Sequence, residues 1–120
     1  MKMAHVSIFS KCMDESVAFY QDIVGLNIVV DMRANIAHPI VFLANAAGET
    51  CVEIIGEPES AYHGSGISMG FETDDVEAKR VEMAEKGYNP GPMISPNPVT
   101  KFFFIQDPNG VGIQFIQQDR

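Results

Sequence analysis

Few side chains in this sequence could do chemistry, and most of them sit inside short apolar runs. Glu53 stands between Val52 and Ile54 in the segment TCVEIIG. A carboxylate in so apolar a setting needs a hydrogen-bonding partner or solvent. Its plain reading is a glutamate on the wet face of a half-exposed strand. His5, in AHVSIF, read from its neighbours alone is a satisfied core or surface histidine. Gln114 lies in GIQFI, and Ser68, in ISMGFE, reads as a small residue on a strand. A carboxylate and an imidazole can exchange protons or hold cations; a glutamine amide accepts no proton at any working pH. His38 begins a strand beside Pro39, and His63 lies in the stretch EPESAYHGSG. Nucleophilic chemistry has little support, because neither Cys12 nor Cys51 has an obvious activating neighbour. A glycine-rich phosphate loop is missing too, the glycines standing at helix ends and turns.

The whole-chain balance narrows the partners. The 120 residues carry 8 Lys and Arg against 16 Asp and Glu, a formal net charge of −8. Such a charge repels phosphate backbones, so no nucleic-acid partner is expected. The most apolar stretch, 39–47, is far shorter than the roughly 20 residues a bilayer needs, so no membrane partner is expected either. His5, Ser7, Lys11 and Asp14 interrupt any secretory apolar region, and the two cysteines form no CxxC. Reduced thiols in a cytoplasm follow as the expectation. The seven methionines are scattered and read as core filling.

The elements that must position these side chains repeat an order. Ala4–Phe9 reads as a strand. A helix is predicted over Asp14–Val24, with Asp14 as N-cap, Val17, Tyr20 and Val24 on one face, and Gly25 as the stop. Strands follow at Leu26–Met32, His38–Asn45 and Thr50–Gly56. Glu57–Gly66 reads as a linker. A strand at Ile67–Glu72 then leads to a helix over Asp74–Lys86, capped by Asp74 or Asp75 and ended by Gly87. Pro90–Pro98 allows only a short or edge strand. Thr100–Gln106 and Val111–Gln117 are strands joined by the turn Asp107–Gly110. Phe102, Phe103 and Phe104 alternate faces, so one or two of them leave the core. The helix-ending glycines are 62 residues apart. Two βαβββ modules, about 1–57 and 65–120, therefore account for the chain as one domain of class α+β.

This order, the opening HVSIF, the run DESVAFYQDIVGLNIV and the closing DPNGVGIQFI together resemble the vicinal-oxygen-chelate superfamily, the group of glyoxalase I, bleomycin resistance proteins and extradiol dioxygenases. The resemblance implies tandem modules whose curved sheets form cups around a small molecule. It places the metal-facing positions at the start of the first strand and the middle of the last strand of each module. His5 and Glu53 match them in the first module. In the second, Ser68 stands where histidine is usual and Gln114 where glutamate is usual. Ser68 is a poor ligand because its hydroxyl stays protonated, whereas glutamine serves in some relatives, so the site is weakened.

Two functions follow from the resemblance and stay open. One is a lactoylglutathione-lyase-type lyase or isomerase acting on a small carbonyl compound. There His5, Glu53 and Gln114 would hold a divalent ion (Ni, Zn, Co or Mn) and Glu53 would be the catalytic proton acceptor. The alternative is a metal-independent ligand-binding or antibiotic-sequestering protein of the bleomycin-resistance type. Ser68, Phe102 and Phe104 would contact the small-molecule ligand in either case, an aromatic lining suiting a flat or apolar compound. His38 and His63 are weaker substitute ligands, and Phe42 and Tyr62 read as core or surface. A homodimer is expected, since two small modules leave sheet edges and apolar surface to cover.

Overall fold

The computed structural model describes residues 1–119. Eight strands and two helices follow one another as β1 (His5–Ser10), α1 (Met13–Asp22), β2 (Asn27–Asp31), β3 (Ile40–Ala44), β4 (Cys51–Gly56), β5 (Ser68–Glu72), α2 (Val76–Glu85), β6 (Ile94–Asn97), β7 (Thr100–Gln106) and β8 (Gly112–Gln118). A 3-10 turn, Pro58–Ser60, interrupts the linker. The chain divides into two compact modules between His63 and Gly64. Each is a βαβββ unit with one four-stranded mixed sheet, ordered β1-β4-β3-β2 in the first and β5-β8-β7-β6 in the second. Among the described residues neither sheet closes into a barrel. No helix among the described residues is long and apolar enough to cross a membrane.

In the first module β1 runs parallel to β4, and β3 lies antiparallel between β4 and β2. The apolar residues of one sheet face, Ile8, Val41, Leu43, Val52 and Ile54, are buried together with Val17, Phe19, Tyr20 and Ile23 of the α1 segment. Helix α1 starts one residue before the expected Asp14 and ends two before Val24. Its N-cap position is Cys12, with no side-chain cap. The Ser10 hydroxyl accepts the Cys12 N–H at 3.0 Å, and Ser16 Oγ donates to the Cys12 carbonyl at 2.8 Å. Asp14 is thereby displaced into the first turn, where it still favours the positive helix end and pairs with Arg33 at 3.1 Å. Gly25 adopts φ +87°, and the chain turns back so that the Leu26 N–H donates to the Tyr20 carbonyl.

The second module repeats the plan. Asp75, not Asp74, is the N-cap of α2, its carboxylate accepting the Ala78 N–H at 3.0 Å. Val76 and Met83 of α2 are buried with Phe103, Ile105, Ile113 and Phe115 of β7 and β8. Edge strand β6 contains Pro96 and pairs irregularly with β7, as a proline-bearing strand must. The β7–β8 turn is tied by Asp107, whose Oδ1 accepts the N–H groups of Asn109 and Val111.

Candidate functional site

Strand alternation puts a polar set on the sheet face opposite the α1 core. In the first module Ser7 lies across from Glu53, and Glu53 across from Phe42. His5, two residues before Ser7, shares that face. Glu53 is only 8% exposed, although it stands away from the apolar core. Ser7 donates its hydroxyl hydrogen to Glu53 Oε1. His5 Nε2 lies 3.5 Å from the same oxygen. The imidazole also meets the Phe42 ring edge-on, with centroids 5.7 Å apart at 75°. Neighbours along and across the strands therefore meet the need of this carboxylate for a partner.

The second module presents the equivalent face with different chemistry. Gln114 lies across from Gly70 and from Phe104, as Glu53 does from Ser7 and Phe42. Gly70 makes room for the amide, because a Cβ there would sit 2.8 Å from Gln114 Oε1. Ser68 lies across from Gly112, whose missing side chain leaves its space to the Ser68 Cβ. Phe103 is fully buried in the α2 core, while Phe102 and Phe104 share the opposite face and pack edge-to-face with centroids 5.7 Å apart. Beside them Tyr88, Asn89, Gly91, Phe104, Ile105 and Gln106 line an open hollow of about 380 Å³. Asn89 takes the left-handed φ of 50° that turns the chain around this hollow.

Within the first module, then, His5 and Glu53 are brought together; within the second, Gln114, Phe104 and Phe102 share one face. His38 and His63 are exposed residues outside the strands. Cys12 and Cys51 are free thiols. Two participants escaped sequence reasoning. Ser7 is the partner of Glu53, and Phe42 belongs to the open face. Period-two alternation from His5, together with the repeat offset linking Phe42 to Phe104, was the signal for both.

A divalent ion is poorly served by these donors. The first module supplies one imidazole and one carboxylate, with Ser7 and His5 both directed at the same oxygen of that carboxylate. At the equivalent positions the second supplies a hydroxyl and a neutral amide. Among the described residues no group of three or more His, Cys, Asp or Glu is placed to hold a metal. A catalytic zinc-type site ordinarily needs three such ligands, so the donor set does not fit one.

Comparison with known proteins agrees with this architecture. The sequence profile of the Glyoxalase/Bleomycin resistance protein/Dioxygenase superfamily matches residues 2–115. No curated protein matches the sequence significantly. Among solved structures, the antibiotic-binding protein TnmS3 from Streptomyces sp. CB03234 superposes with a TM-score of 0.75 at 20% identity, over 99% of this chain and 97% of that one. Lactoylglutathione lyase from Agrobacterium tumefaciens gives 0.70 at 18% identity, over 94% and 90%. The trypanothione-dependent glyoxalase I of Leishmania major gives 0.76 at 18% identity, over 98% and 86%. At these identities the likeness is one of fold.

Proposed function

Because the chain belongs to the glyoxalase/bleomycin resistance protein/dioxygenase superfamily, whose members bind small molecules, we propose that it is a metal-independent binding protein for a flat, largely apolar small molecule. The observation that carries this reading is the contrast between equivalent positions. His5 and Glu53 in the first module become Ser68 and Gln114 in the second, leaving half of a metal-ligand pattern. The edge-to-face pair Phe102 and Phe104 supports it, since aromatic faces gain by stacking against a flat ligand. Gln114 beside them would orient the ligand by a neutral hydrogen bond, and Ser68 by its hydroxyl. The likeness to an antibiotic-binding protein supports sequestration as the role. In solution the protein would act as a cytoplasmic homodimer, with exposed Val30, Met32, Ile94 and Val99 giving each chain apolar surface to cover.

The second reading, a metal-dependent lyase or isomerase with His5, Glu53 and Gln114 around Ni, Zn, Co or Mn and Glu53 as proton acceptor, is favoured by one observation. The His5 imidazole and the Glu53 carboxylate are 3.5 Å apart. Thermal melts with a panel of flat aromatic drugs, with and without chelator, separate the two. The binding reading expects the same stabilisation in both conditions. Stabilisation that appears only with one of the four metals would overturn it in favour of the lyase.

A further inference from the structure

In the second module the chain between α2 and β6 is tied down at several points. The Tyr88 N–H donates to the Met83 carbonyl and the Gly91 N–H to the Phe104 carbonyl, both at 3.0 Å. Arg80 of α2 donates through Nε to the Gly91 carbonyl at 2.8 Å and through Nη2 to the Pro90 carbonyl at 3.4 Å. The segment so held forms one wall of the hollow of about 380 Å³, with Phe104, Ile105 and Gln106 of β7 as the other. Hollows of this size hold small organic ligands. Every lining residue belongs to the second module. We propose that this hollow seats a neutral flat ring with a lactam edge, an N–H beside a C=O, and that the Asn89 carboxamide reads that edge. This rests on the binding reading above and adds the chemical class of the ligand to it.

Three features point to this class. The lining side chains carry no formal charge, and the Arg80 guanidinium behind the segment is engaged by the Gly91 and Pro90 carbonyls. An ionised ligand would lose water there without gaining a counter-charge, so a neutral one is favoured. Phe104 offers its ring to a flat body, while Asn89 and Gln106 are exposed carboxamides, each with N–H donors and a carbonyl acceptor. A carboxamide matches a lactam at both atoms. The Asn89 side-chain N–H donates to the ligand C=O while Asn89 Oδ1 accepts the ligand N–H, the paired mode by which asparagine reads an adenine edge. Lastly, Asn89 takes φ 50°, in the left-handed range where glycine is cheapest. Glycine fills that need two residues earlier, at Gly87 with φ 83°, whereas position 89 keeps a carboxamide beside the hollow.

The test uses the intact protein and a matched pair of probes, isoquinolin-1(2H)-one and its lactone isocoumarin, in which a ring oxygen replaces the N–H. NMR titration should show the lactam binding roughly fivefold tighter or more, the span of one net hydrogen bond. Asn89→Gly suits the left-handed backbone, so it should leave Tm nearly unchanged while bringing the lactam down to the affinity of the lactone. In the unmodified protein the Asn89 side-chain amide resonances should move as the lactam binds, a readout that does not depend on the variant folding. Equal binding of both probes would overturn the lactam edge and leave the binding reading standing. A lactam advantage that survives Asn89→Gly, or Asn89 resonances unmoved by bound lactam, would equally overturn it. Binding by neither probe would refute the hollow as a seat for such rings, and failure of every aromatic compound in the thermal panel would refute the binding reading itself.

Discussion

Removing the Ser7 hydroxyl tests whether the Glu53 carboxylate is held as described. Ser7 is exposed and makes one side-chain hydrogen bond, to Glu53 Oε1. In Ser7→Ala that oxygen keeps only His5, whose side chain is 43% exposed, so the surviving pair is screened and worth well under about 1 kcal/mol. A hydrogen bond to a charged, buried group contributes about 1.5–3 kcal/mol. Solvent reaching the edge strand offsets part of that, and a loss of about 1–2 kcal/mol is expected. For a chain of this length that is a fall in Tm of roughly 4–8 °C. Glu53→Leu removes the charge from an apolar strand and should itself be nearly neutral, as replacing a buried ionic group by a hydrophobe often is. In the Glu53→Leu background, Ser7→Ala should then cost no more than about 0.5 kcal/mol, the value for a surface substitution. Urea unfolding of the four proteins gives the coupling energy directly. A coupling below about 0.3 kcal/mol, the ordinary limit of additivity, would refute the hydrogen bond and the carboxylate geometry built on it.

Other consequences can be checked alongside. Asp75→Ala should lower stability by about 1 kcal/mol through the lost Ala78 N–H acceptor, whereas Asp14→Ala, which caps nothing, should cost less than half of that in the same unfolding assay. Gly112→Ala would bring a Cβ within 3.0 Å of Ser68 Cβ and 3.1 Å of the Ile67 carbonyl, and should destabilise by about 1–3 kcal/mol. Gly70→Ala meets only the flexible end of Gln114, so its stability should be nearly unchanged while affinity for flat aromatic ligands falls. Asp31 titrates below the ordinary carboxylate range, chiefly because Arg33 hydrogen-bonds it. A depressed folded value means that its small contribution is present above the unfolded value and disappears as pH falls through the folded one. Carboxyl NMR titration should show Asp31 moving upward in Arg33→Ala, and an unmoved titration would refute the pairing.

Much of this protein is written in local pattern. Alternation in TKFFFIQ and GIQFIQ, glycines after each helix, and prolines around Ile94 are short-range signals, and the strands, helix ends and edge strand follow them closely because backbone sterics and side-chain period act within a few residues. The repeat made the two βαβββ modules legible for the same reason. The Asp14 cap did not survive, since Ser10 and Ser16 satisfy the backbone at Cys12 and the helix starts earlier. What alternation alone left open is which face of each strand stays outside the core. Register across β1, β4 and β3 decides that, and with it the meeting of Ser7, Glu53, His5 and Phe42, residues as far apart in the chain as 5 and 53. The sequence by itself determined the modules, their elements and the exchange of His5 and Glu53 for Ser68 and Gln114 at matching places of the two modules. Only tertiary structure decided that Glu53 is buried with one oxygen engaged and the other open, because burial and hydrogen-bond partners are set by strands that are neighbours in space and strangers in sequence.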